Sequence, residues 1–88
     1  MKAIRIRGPR EVELRECPRP DVGPDQVLVQ VGACAICGTD LRQYREGRSP
    51  EGPFGHEFAG TVVEVGSACQ ELAVGDRVAS GLVSACGR

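Results

Sequence analysis

Apolar and charged residues alternate along Ile4-Arg5-Ile6-Arg7, the period of a half-buried β-strand, which predicts a first strand over residues 2–7. Gly8-Pro9 is a turn signal. Val12 and Leu14, with the polar residues between them, resume the period of two, so a hairpin is expected. Pro18, Pro20, Gly23 and Pro24 then mark a loop. Residues 26–33 read as a longer strand, with Val27, Val29, Val31 and Ala33 on one face and Leu28 on the other. The pattern changes after Cys37. Residues 40–46 have room for a short helix, with Leu41 and Tyr44 three apart, and residues 49–53 are a Pro- and Gly-containing loop. Residues 58–65 are strand-like and end at Gly66, and Gly75-Asp76 turns the chain into a last strand over 77–79. No repeat or low-complexity tract interrupts this order. Several short strands with one or two helical turns make a small barrel or a sandwich.

Composition narrows the picture. A chain of 88 residues predicts one small domain. With no Trp, one Tyr and two Phe, its core has to be aliphatic. Twelve Gly and six Pro favour turns over long helices. A net charge of −1, from 11 basic and 12 acidic residues, gives no footprint for nucleic acid or for an anionic membrane. No apolar run approaches the length of a membrane span, and the charged, alternating N-terminus is not a signal peptide. The expected location is the cytoplasm, where thiols stay reduced. Five cysteines, an odd number, then point to metal binding or reactivity rather than to disulfides.

The candidate chemistry lies in Gly32–Leu41 (GACAICGTDL) and Phe54–Gly60 (FGHEFAG), the second of which holds the one histidine of the chain. Cys37 falls where a strand ends and a short helix begins, and a helix N-terminus favours the anionic sulfur that zinc binds. His56 lies in a Gly-flanked stretch suited to presenting its ring, and one sulfur with one nitrogen suits zinc. Two ligands leave such a site incomplete, since a structural site takes four and a catalytic one three with an open position. Thr39 offers a hydroxyl that both donates and accepts, as a proton relay from an alcohol requires. Asp40 could orient the His56 ring, and Glu57 could support the histidine, serve as an exchangeable oxygen ligand or simply be solvated. Thr39 and Asp40 are also residue types that favour helix N-caps. A redox role for the Cys34–Cys37 pair would call for a βαβ context, and the pattern contains no crossover helix. Cys34 reads as a small strand hydrophobe, and Cys17 and Cys69 as bland. A four-cysteine site from Cys34, Cys37, Cys69 and Cys86 lacks a second Cys-x-x-Cys knuckle. Arg42, Arg45 and Arg48, interleaved with Glu46 and Glu51, read as a solvated helix face.

Cys37-Gly38-Thr39-Asp40, Gly55-His56-Glu57-Phe58-Ala59-Gly60, Val65-Gly66 and Gly75-Asp76-Arg77-Val78 together resemble the N-terminal part of the zinc-dependent medium-chain alcohol and polyol dehydrogenases. Pro18-x-Pro20 and Val27-Leu28-Val29 add to the likeness, which covers essentially the whole chain. The resemblance implies a mainly β, GroES-like small β-barrel over residues 1–88, with Cys37 and His56 as catalytic zinc ligands. It implies Thr39 as the proton-relay hydroxyl, with Asp40 and Glu57 as partners of the zinc site. The cofactors it implies are Zn2+ and, in the complete enzyme, NAD(P). The partners are a small-molecule alcohol or carbonyl substrate and, in the complete enzyme, further copies of the chain.

The sequence also departs from that family. Its third zinc-binding residue and its nicotinamide-binding Rossmann domain lie further along than Arg88, and no G-x-G-x-x-G occurs here. Cys86-Gly87-Arg88 looks like the opening of the family's structural-zinc lobe, which makes Cys86 a candidate ligand. A truncated domain, inactive alone because the cofactor carries the hydride chemistry, is the resulting expectation. The alternative is a stand-alone GroES-like barrel that serves as a non-catalytic binding or assembly module.

Overall fold

The computed structural model describes residues 1–48 and 54–80. The chain forms two compact units, one of Met1–Arg19 with Ile36–Gly55, the other of Pro20–Ala35 with His56–Arg88.

The first unit holds the expected hairpin. Strand β1 (Lys2–Gly8) pairs antiparallel with β2 (Glu11–Glu16), placing Ile4 opposite Leu14 and Ile6 opposite Val12, with Arg5 opposite Glu13 on the other face. Glu13 meets Arg15 Nε at 3.0 Å and Arg7 Nη1 at 3.4 Å. With both arginines exposed and Glu13 half-buried, these pairs add little stability. Mutual backbone hydrogen bonds between Met1 and Cys17, at 2.7 and 2.8 Å, extend the ladder by one pair.

Helix α1 (Gly38–Glu46) follows, capped by Cys37 at its start and by left-handed Gly47 (φ 71°) at its end. The hairpin turn sits against that C-terminus. Arg10, itself at φ 60°, donates its N–H to Tyr44 O at 2.7 Å. A Cβ on Gly47 would collide with Pro9 N and Gly8 C, so both the left-handed conformation and the close approach call for glycine. Arg42 and Arg45 are exposed, and Arg42 Nε lies 4.0 Å from Glu46, one turn on. These residues form the solvated helix face that the charge pattern implied, while Arg48 falls past the C-cap and Glu51 lies outside the described residues.

The second unit is a three-stranded antiparallel sheet in the order β3-β4-β5, with β3 Val27–Ala35, β4 Glu57–Val65 and β5 Arg77–Ala79. Gly60 lies in the middle strand, opposite Val31 on one side and Val78 on the other. A Cβ there would collide with the Gln30 carbonyl oxygen, so glycine sets how closely β3 and β4 approach. Val62, with no exposed surface, is the buried centre of this unit. Its N–H donates to Asp76 O and its carbonyl accepts from Gly75 N–H, both at 2.9 Å, which ties the turn before β5 to the middle strand.

The mainly β architecture matches the pattern of the sequence, and three details differ. Helix α1 starts at Gly38, two residues before the expected start, because a cap at Cys37 overrides the poor helix propensity of glycine. Strand β3 runs on to Ala35 because its ladder with β4 continues through Cys34↔Phe58 and Ala35↔Glu57. The single apolar face expected for residues 27–33 is interrupted. Register shifts fall between Leu28 and Val29 and between Val31 and Ala33, and Val31 is 53% exposed while Val27 and Val29 are half-buried. Such irregularities re-aim side chains and depend on the partner strand.

Candidate metal centre

In the first unit, Cys37 takes the N-cap of α1 in an extended conformation (φ −112°, ψ 177°). Gly38 and Thr39 occupy the first two helical positions and Asp40 the third. The cap therefore falls on Cys37 rather than on Thr39 or Asp40, the residue types that preference alone selects. Asp40 contributes from inside the helix: its Oδ2 accepts the Cys37 N–H at 3.0 Å, the reciprocal arm of a capping box. The Cys37 carbonyl accepts the Leu41 N–H at 3.2 Å. Asp40 is 1% exposed and is the one buried charged residue among those described. A carboxylate tolerates that burial only where polar partners meet it. Thr39 is exposed on the same first turn.

In the second unit, His56 immediately precedes β4 and Glu57 opens it. The His56 side chain is half-buried, and its Nε2 lies 3.9 Å from Glu57 Oε1. That distance is too long for a hydrogen bond but close enough for electrostatic contact. Glu57 pairs with Ala35 across the β3–β4 ladder. Cys37 follows Ala35 by two residues and His56 precedes Glu57 by one, so both leave the same end of that ladder.

Cys37 and Asp40 in the first unit and His56 in the second are each, taken singly, residues of a type that a metal ion takes. Sulfur, imidazole nitrogen and carboxylate oxygen are the three donor types zinc uses, so the donor chemistry fits that ion. Cys34, at the end of β3, is exposed, with its Sγ 3.7 Å from Ala35 O. Cys17 and Cys69 are half-buried free thiols. Cys86 lies outside the described residues. Sequence reasoning missed the double hold on the Cys37 peptide. The signal was present as Cys-x-x-Asp, which has the N-cap-to-third-position spacing of a capping box with cysteine in place of serine or threonine.

A mainly β domain with this donor set belongs to a recognisable class. Residues 23–88 match the family model described as the alcohol dehydrogenase GroES-like domain. The chain is 44% identical over 94 aligned residues to sorbitol dehydrogenase of Bacillus subtilis (strain 168), an alignment that covers 100% of this chain and 27% of that protein. Among solved structures, an alcohol dehydrogenase of Thermus sp. ATN1 superposes with a TM-score of 0.80 at 36% identity, covering 90% of this chain and 24% of that one. A protein of Sinorhizobium meliloti 1021 described as a zinc-binding dehydrogenase, solved with NADP, superposes with a TM-score of 0.72 at 44% identity, covering 86% of this chain and 23% of that one. The chain belongs to the alcohol dehydrogenase GroES-like domain family, within the medium-chain alcohol and polyol dehydrogenases. It spans about a quarter of the length of the curated relatives it matches. No helix among the described residues is long and apolar enough to cross a membrane.

Proposed function

We propose that this chain supplies the zinc-holding portion of a dehydrogenase that interconverts alcohols or polyols with aldehydes or ketones, using NAD(P). The observation that carries the reading is the pairing of Ala35 with Glu57, from which Cys37 and His56 depart at one ladder end. Family membership supports it, and so do the polyol and alcohol substrates named for the relatives.

On this reading Cys37 and His56 hold the ion through Sγ and a ring nitrogen. Asp40 and Glu57 act on those two ligands, Asp40 through the Cys37 peptide and Glu57 through its charge beside the His56 ring. Bound zinc supplies a Lewis acid that polarises the substrate oxygen. Thr39, exposed on the first turn of α1, takes the hydroxyl proton of the alcohol and passes it to solvent. NAD(P)+, when bound, would supply the hydride acceptor that the conversion of an alcohol to a carbonyl compound requires. These 88 residues include no nucleotide-binding glycine fingerprint, so they are not expected to turn over alcohol by themselves.

In the full chain, Cys37→Ser is expected to lose bound zinc and NAD(P)-dependent alcohol oxidation together, measured by metal analysis and by reduced-nicotinamide absorbance. Full retention of both refutes the ligand role of Cys37.

A further inference from the structure

Three arginines gather on the polar face of the β1–β2 hairpin. The period of two puts Arg5 on that face, directly across from Glu13, and Arg15 at the next pair on the same face, across from Ala3. Arg7 falls in the register irregularity between Ile6 and Gly8, and its guanidinium reaches the same carboxylate. Glu13 is the pivot: its Oε1 meets Arg15 Nε at 3.0 Å and its Oε2 meets Arg7 Nη1 at 3.4 Å. Both carboxylate oxygens are thereby engaged. Arg5, itself half-buried, has no ion-pair partner among the described residues. Three guanidinium groups around one carboxylate leave two positive charges in excess at this spot, in a chain whose net charge is −1. With Ile6, these side chains line an open groove of about 430 Å³, within the size range of small-ligand sites.

The chemistry of the groove selects its occupant. A guanidinium only donates hydrogen bonds, so a cluster with surplus charge and an unpaired fork calls for an anion rich in acceptors. The planar fork matches phosphate oxygens and binds them through paired hydrogen bonds. A surplus of two charges is the complement of a phosphate dianion, whereas a single carboxylate leaves half of it unmet. The exposed apolar side chains of the hairpin, Ile4, Val12 and Leu14, lie on its other face. The cluster therefore lacks the exposed apolar rim that would enter a lipid surface, and a phosphate group free in solution fits it better.

We propose that Arg5, Arg7 and Arg15 form a binding site for a small free phosphate dianion, as inorganic phosphate or as a phosphate monoester. Glu13 holds the Arg7 and Arg15 side chains in place, and Arg5 supplies the unpaired fork. The site uses neither Cys37 nor His56. Because the arginines are open to solvent, binding weakens as ionic strength rises.

The test titrates inorganic phosphate into the full chain at constant ionic strength, with sodium chloride as the balancing salt. Binding is followed by the NMR signals of the arginine Nε–H groups. Wild type is compared with Arg5→Gln, Arg7→Gln and Arg42→Gln, the last of which removes the same charge from the exposed face of α1. The expected result is a saturable shift of the Arg5 signal in wild type. Affinity should fall about tenfold in Arg5→Gln and Arg7→Gln and stay within about twofold of wild type in Arg42→Gln.

A wild-type titration that does not saturate overturns the proposal. So does an Arg42→Gln loss equal to that of Arg5→Gln, the result for attraction by net charge alone. If Arg5→Gln does not fold, Arg7→Gln against Arg42→Gln decides by the same criteria. Vesicles of phosphatidylcholine with phosphatidate separate the two sources of a phosphate group. Arg5-dependent capture by the vesicles, with no saturable binding of inorganic phosphate, overturns the proposal in favour of a lipid headgroup.

Discussion

A thiol at a helix N-cap is a weak substitute for a hydroxyl or a carboxylate, and the residues around Cys37 reflect that weakness. The helix is held at its start by Asp40 and at its end by Gly47. The glycines at the two ends of α1, Gly38 as its first residue and Gly47 as its C-cap, have opposite requirements. Gly47 sits at φ 71° against Pro9, while Gly38 has an ordinary φ and nothing within 4 Å of where a Cβ would stand. Gly47→Ala is expected to lower stability by roughly 2 kcal/mol or more, through left-handed strain and the clash. Gly38→Ala is expected to be neutral or to gain up to about 1 kcal/mol. Urea midpoints of the two variants check both values, and equal effects would contradict the assignment. Cys37 and His56 could be singled out as candidate donors in the sequence, from their motifs and their order along the chain. The cap was not legible, because residue preference favours Thr39 and Asp40 and the choice of Cys37 is made by backbone geometry.

Elements were more legible than their irregularities. Alternation marked β1 and β2, residues 58–65 read as strand-like up to Gly66, and the Gly75-Asp76 turn marked β5 at the residues where it occurs. The register shifts within β3 and β4 were hidden, because a bulge is a property of two paired strands and neither strand's pattern records it alone. The contact between the hairpin turn and α1 was hidden for the same reason, since Arg10 looks like an ordinary exposed charge in the sequence. Its backbone is what matters. At φ 60° it gives its N–H to Tyr44 O at 2.7 Å. Arg10→Pro forbids that φ and removes the donor, so a loss of roughly 3 kcal/mol or more is expected. Arg10→Asn keeps the donor and tolerates the left-handed region, so it should stay near wild type. Thermal unfolding of the two variants measures the difference, and an Arg10→Pro protein as stable as wild type would mean that the turn–helix contact contributes nothing.

At the scale of the whole molecule, little of the described chain is buried: Ala3, Val62 and Asp40. Ile4, Val12 and Leu14, on one face of the hairpin, are 46%, 50% and 65% exposed. Such a thin core agrees with a length of 88 residues, because small domains bury a modest share of their surface. The fold class and the family could be read from the sequence because turn glycines, strand valines and the two donor motifs recur in one order. Substrate choice could not, because the residues that would contact an alcohol's carbon skeleton are not marked by any motif in these 88 positions.

The central claim is that Cys37 and His56 share one zinc ion. Zinc-edge X-ray absorption of the full chain, wild type against Cys37→Ser and His56→Ala, tests it most directly. The expected spectrum has a sulfur shell near ~2.3 Å and a nitrogen shell near ~2.0 Å, with Cys37→Ser losing sulfur amplitude and His56→Ala losing the imidazole signature. Zinc shells unchanged in both variants would contradict the claim.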